Sequence, residues 1–131
     1  MRLAVGAIIR WHTDRTTPPK RKRFLCVCPD RGWFLMLNSR DLWGESVLMH
    51  AADANGALDR DSYAELGALI APPLGRVASQ LLNGDAEVLG VVGRATLRRL
   101  LDAVNDADTL IDDERTIVLD AISAALAGID V

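Results

Sequence analysis

The sequence predicts an α+β protein that is mostly β: a small barrel or curled sheet of short strands, with C-terminal helices packed on one side. One observation behind this is the stretch Lys22 to Ser39, KRFLCVCPDRGWFLMLNS. Two apolar runs in it, Phe24–Cys28 and Trp33–Leu37, flank Pro29-Asp30-Arg31-Gly32. Pro suits the first central position of a type I turn, and Gly takes a positive φ at no steric cost. The stretch therefore reads as a tight β-hairpin with a Gly bulge. The other observation is a change of texture at Gly93, after which the apolar spacing becomes helical.

The hairpin organises the rest. Alternation places Phe24, Cys26 and Cys28 on one face and Leu25 and Val27 on the other. Both faces are apolar, so the hairpin should be buried on both sides. Its polar residues, Arg23 at the start and Asn38-Ser39-Arg40 at the finish, fall together at the open end of the ribbon. Any chemistry is to be sought there.

In chain order, Leu3–His12 (LAVGAIIRWH) is a first strand in which Gly6 marks a bend or a close backbone approach. Thr13–Arg21 is a polar, basic, Pro-containing loop, and the hairpin follows it. Asp41–Glu45 is a connection carrying Trp43, and Ser46–His50 is a short strand. Asn55-Gly56 signals a turn, and Ser62–Leu66 is a further short strand before Ala71-Pro72-Pro73. Gly75–Leu82 and Glu87–Val92 read as two strands joined by a turn at Asn83-Gly84-Asp85. Ala95–Asn105 spaces Leu97, Leu100, Leu101 and Val104 as one helical face. Thr109–Asp112 resembles a capped helix start, with Asp112, Asp113 and Glu114 favourable in the first turn. An apolar stripe then runs through Ile117/Val118, Ala121/Ile122 and Ala125/Leu126 to Gly128. Residues 1–131 are expected to form one domain, with 1–93 as the β-barrel and 94–128 as the helices packed on it.

Composition narrows the function classes. Half of the residues are hydrophobic and a quarter are charged, the balance of a soluble globular protein, with a net charge of −3. The run Leu3–Ile9 is too short for a membrane span, and no secretory signal is evident, so a cytoplasmic location is expected. Cys26 and Cys28 project in parallel about 6.5–7 Å apart along one strand, an awkward disulfide geometry. Zinc wants four ligands, and only His12 and His50 are available beside the two thiols, so core thiols are expected and no metal.

Charge is uneven along the chain. Arg10, Arg15, Lys20, Arg21, Lys22 and Arg23 cluster around the first loop, while acids load the C-terminal third. A basic patch suits a polyanion or an acidic partner, or is simply a solvated loop. Phosphate cradles and serine triads find no match in the sequence. The remaining chemistry is Arg23 beside Ser39. A guanidinium stabilises charge developing on a phosphodiester, a hydroxyl hydrogen-bonds its oxygens, and RNA brings its own nucleophile in the 2′-OH. Trp11, Trp33 and Trp43 are candidates to stack bases, Trp43 foremost, with core packing the better reading of Trp33. Asp61-Ser62 can satisfy backbone groups at a strand start, and Tyr63 can bury its ring with its hydroxyl wet.

The layout of a strand with Gly6, a basic loop, K-R-F-L-C-V-C, the hairpin, W-F-L-M-L-N-S, L-D-R-D-S-Y and a terminal helix resembles the MazF/PemK-like toxin family. The likeness is to its plasmid- and phage-associated branches and runs from about Leu3 to Ala125. It implies a Src-homology-3-like β-barrel with a C-terminal helix, commonly a homodimer. It also implies a metal-independent endoribonuclease that cleaves single-stranded RNA without a cofactor and is neutralised by an acidic antitoxin. Arg23 and Ser39 match the family's catalytic positions. Lys20, Arg21, Lys22, Arg40 and Trp43 are the accompanying RNA-binding candidates. The rival expectation is a non-catalytic module of the same fold that binds a protein or nucleic-acid partner, its C-terminal helices serving as an assembly surface. A homodimer or stable complex is also expected on the ground that one barrel and two helices leave apolar surface uncovered.

Overall fold

The computed structural model describes residues 3–13, 20–41 and 44–128, with the backbone alone at 12–13, 20–21, 68 and 74. Within them the order is β1 (Ala7–Thr13), β2 (Lys20–Cys28), β3 (Trp33–Asn38), β4 (Ser46–Met49), a 3₁₀ turn (Ala51–Asp53), β5 (Ser62–Ile70), α1 (Leu74–Asn83), β6 (Ala86–Val91), α2 (Arg94–Asp106) and α3 (Asp112–Leu126). The described strands form one six-stranded sheet in the order β4-β5-β3-β2-β1-β6. Every ladder in it is antiparallel. The chain is thus α+β, strands first and a pair of helices last.

The β2–β3 hairpin forms as its sequence dictates. Cys26 pairs with Phe34 and Cys28 with Trp33, so the one-residue bulge lies on β2 at Val27 rather than at the glycine of the turn. Gly32 takes φ +66°, which a side chain would oppose. Its amide donates to the Pro29 carbonyl at 3.2 Å and closes the turn.

Burial on both sides follows from alternation. Leu25, Val27, Leu35 and Leu37 enter one core with Ile8, Val47, Met49 and the apolar stripes of α2 and α3. Phe24, Cys26 and Phe34 enter a second core with Ile9, Trp11, Ala86 and Val77 of α1. Trp11 meets Phe24 and Phe34 edge-on, with ring centroids 5.8 and 6.0 Å away. It is core, not a base-stacking surface.

The segment Gly75–Leu82 departs from the strand expected of it: Leu74–Asn83 is helix α1. Val77 and Leu81 lie one helical turn apart and pack together into the second core. Pro73 precedes the helix, and Gly84 ends it in the left-handed conformation at φ +87°. Helices therefore cover both faces of the sheet rather than one. Leu82 (90 % exposed) and Ile111 (64 %) are the large hydrophobics left open among the described residues.

Two carboxylates from the β half hold the helical hairpin. Asp53 accepts hydrogen bonds from the Thr96 amide (3.0 Å) and hydroxyl (2.6 Å), so it caps α2, whose N-cap residue Gly93 has no side chain to do so. A Cβ on Gly93 would lie 2.1 Å from an Asp53 oxygen, so the glycine is there for space. Glu45 accepts from the Asp108 and Thr109 amides, both at 2.9 Å, and from the Thr109 hydroxyl. The expected cap at Thr109 is thus spent on docking. The N-cap of α3 is Ile111, with no side-chain bond, and Asp112, Asp113 and Glu114 fill the first turn. Arg115 ties the intervening loop by donating to the carbonyls of Ala107 and Leu110 and pairing with Asp112.

Ile122 and Leu100 are fully buried in the first core. Truncating either to Ala should lower unfolding free energy by about 2–4 kcal/mol in chemical denaturation. Gly93→Ala should also destabilise. Gly75→Ala, on an open helical surface with nothing within 4 Å of a new Cβ, should stabilise by about 0.5–1 kcal/mol.

Hydrogen bonds from Thr109 and Asp108 hold the Glu45 carboxyl below its ordinary value of 4.5. The Ala51 amide, and then His50, do the same for Asp61 against 3.8. A depressed folded-state pKa means the stabilisation is complete above the ordinary value and is lost as pH falls below it. Thermal stability should therefore drop on acidification below about pH 4.5, and Glu45→Gln should flatten that drop.

Candidate functional site

The antiparallel registers gather polar residues at one end of the sheet. Arg10 of β1 stands opposite Arg23 of β2, and also opposite Glu87 of β6 on its other side. The open end of the hairpin places Asn38 and Ser39 beside Lys22 and Arg23. The pairing of Asn38 with Tyr63 brings the loop before β5 alongside. The result is a cleft of about 290 Å³ lined by Arg10, Lys22, Arg23, Leu37, Asn38, Ser39, Asp59, Arg60 and Ser62.

Strand alternation divides these residues. Arg10 and Arg23 continue the face that carries Ile8, Leu25 and the first core. Lys22 and Asn38 continue the opposite face, where the Lys22 ammonium donates to Asn38 Oδ1 at 2.8 Å. The Asn38 amide in turn lies 3.4 Å from Oε1 of the buried Glu65. Lys22 thus contributes to the wall of the cleft while its charge is engaged within a polar chain across β2, β3 and β5.

Arg23 and Ser39, the two residues singled out for chemistry, do line one open cleft. The Arg23 side chain is 31 % exposed, and its Nη2 donates to Asp59 Oδ2 at 3.1 Å, with Asp59 79 % exposed. Arg10 Nη2 pairs with Glu87 Oε1 in the same fashion. The Nε atoms of both arginines are buried without a hydrogen-bond partner. An ion pair this open to water is worth about 0–1 kcal/mol, whereas a guanidinium–phosphate fork is bidentate and stronger. A phosphate can therefore replace Asp59 at modest cost.

The other candidates fall differently. Lys20 and Arg21 pair with Thr13 and His12 at the start of β2. Arg40 is exposed at the bend after β3 and is not among the residues lining the cleft. Trp43 lies outside the described residues. Trp33 is half-buried against the first core, with the Arg31 guanidinium 5.4 Å from its ring centroid. Arg60, Asp59 and Ser62 were missed as site residues, although L-D-R-D-S-Y stands out in the sequence. Only the β3–β5 register puts them beside Ser39.

Away from the cleft, Asp61 accepts from the Ala51 amide at 2.9 Å and meets His50 Nδ1 at 3.3 Å, a structural tie at the strand start. No group of three or more His, Cys, Asp or Glu able to hold a metal occurs among the described residues, nor any helix there long and apolar enough to cross a membrane. Cys26 and Cys28 are buried free thiols. No family model and no curated protein matches the chain.

Burial pushes the Cys26 thiol up to about 12. It should resist a thiol reagent at neutral pH in the native protein and react once the protein is denatured, as a disulfide-exchange colour assay would show.

Proposed function

We propose that the cleft binds the phosphodiester backbone of single-stranded RNA and cleaves it without a metal ion, as a divergent MazF/PemK-like endoribonuclease. The observation that carries this reading is the meeting of Arg23 and Ser39, with Arg10 and Arg60, on one solvent-open cleft. In this chemistry the 2′-oxygen attacks the adjacent phosphorus. The P–O5′ bond breaks, leaving a 2′,3′-cyclic phosphate and a 5′-hydroxyl. The 2′-hydroxyl proton leaves to water, and the departing oxygen takes one up. Charge gathers on the non-bridging oxygens, where the Arg23 guanidinium and the Ser39 hydroxyl donate. Arg60, exposed on the rim, suits a flanking phosphate.

The finer architecture belongs to the same proposal. Register shifts between Ile8 and Ile9, between Cys26 and Cys28 and between Leu35 and Leu37 bend the ladders, which supports a sheet coiled towards a Src-homology-3-like barrel. A homodimer and an acidic antitoxin-like partner complete the reading. Such a partner would compete for the same arginines.

A non-catalytic binding module is the second reading, favoured by one observation: Arg23 is already engaged by Asp59. Expression in a bacterial host separates the two. The enzyme should arrest growth, degrade RNA in vitro in the presence of EDTA, and lose about a hundredfold or more of its cleavage rate on Arg23→Ala. Binding of RNA without any Arg23-dependent cleavage would leave the module.

A further inference from the structure

Arg10 and Arg23 are direct cross-strand neighbours on β1 and β2 and line the same cleft. Side chains so paired have Cβ atoms about 4.5–5.5 Å apart, and like charges directly opposite each other destabilise a sheet. The protein offsets this with a carboxylate outside each arginine: Glu87, opposite Arg10 on β6, and Asp59, from the loop before β5. Each arginine of the pair therefore has its own carboxylate, Glu87 for Arg10 and Asp59 for Arg23. Each guanidinium is held through Nη2 alone, and each leaves a buried Nε without a partner. Both forks are incompletely used, and both internal pairs are exposed to water: Arg10 and Glu87 are 42 % and 46 % exposed.

We propose that Arg10 and Arg23 form one clamp for a single phosphate group, with Glu87 and Asp59 as the internal anions that the phosphate displaces. The inference rests on the phosphodiester-binding reading of the cleft, and it adds Arg10 as a binding residue alongside Arg23. One dispersed anion between two guanidiniums relieves the like-charge contact. It also offers each guanidinium a bidentate partner in place of a single exposed carboxylate oxygen.

Fluorescence anisotropy with a labelled, uncleavable 2′-O-methyl oligoribonucleotide at fixed salt tests this. Arg10→Gln and Arg23→Gln should each weaken binding by about tenfold, the size of one lost charge-assisted contact. The double variant should lose little more than either single one, because both contacts serve one phosphate. Asp59→Asn should tighten binding beyond Asp113→Asn, which makes the same charge change on exposed α3. Asp59→Asn leaves both arginines in place, so this arm stands even if Arg10→Gln folds poorly. The clamp is overturned if Arg10→Gln binds like wild type, if the two losses multiply, or if Asp59→Asn matches Asp113→Asn.

Should wild type not bind the oligonucleotide, the RNA reading falls, and phenylglyoxal modification mapped by mass spectrometry decides the clamp. Joint protection of Arg10 and Arg23 by inorganic phosphate supports it. Protection of neither, or of Arg23 alone, overturns it.

Discussion

Burial of one hairpin on both of its faces is the constraint on which the rest of the structure depends. With Leu25 and Val27 in one core and Phe24 and Cys26 in the other, β2 has no solvent face along its middle. A slip of one residue in its pairing would exchange the two sets and set the larger Phe24 against a core shaped for Leu25 and Val27. Register is therefore fixed twice over. Everything at the open end of the ribbon inherits that precision: Arg23 opposite Arg10, Asn38 beside Lys22, and Ser39 beside the loop before β5. Both faces must then be covered, and the chain supplies α2 and α3 for one and α1 for the other.

The legible parts of the sequence are those where one local signal dominates. The hairpin turn at Pro29–Gly32 and the apolar stripe of α2 can each be read from a few residues, because turn chemistry and helical spacing are local. Helix α1 resembles a strand in sequence because its ten residues bury few apolar side chains, Val77 and Leu81, while Leu82 beside them is exposed. Those two residues stand an even number apart, so they also satisfy a strand's alternation. The better signal was at its ends, Pro73 before and Gly84 after, the asymmetry of a helix rather than a hairpin. The cap expected at Thr109 failed for a different reason. A long-range partner, Glu45, claims its amide and hydroxyl, and nothing near Thr109 in sequence announces that.

The site shows the same division. Arg23 and Ser39 were visible because a hairpin must bring its ends together. Asp59 and Arg60 were not, because their place depends on the β3–β5 ladder, which spans the longest excursion between paired strands in this half of the chain. Arg10 lies between these cases. Once Thr13 pairs with Lys20 across the first loop, counting back along both strands puts Arg10 opposite Arg23. Lys22 is the instructive exception. It adjoins Arg23 in sequence and lines the same cleft, but alternation puts it on the other strand face, where its ammonium donates to Asn38.

Placing two arginines opposite each other works against stability, and the surrounding residues show how the fold tolerates it. Glu87 and Asp59 neutralise the pair from outside, and both are themselves open to water, so neither pair is a deep energy well. Buried, well-hydrogen-bonded partners would hold the arginines more firmly and close them to any ligand. The carboxylates that tie the helices down are placed differently: Asp53 and Glu45 each accept several hydrogen bonds from backbone and hydroxyl donors. Carboxylates thus play two roles in one small protein. Where many donors converge on one acid, it fixes the architecture; where a single guanidinium nitrogen meets an exposed acid, the contact can be exchanged. The cleft arginines are paired in the exchangeable way, which is what the proposed phosphate binding requires.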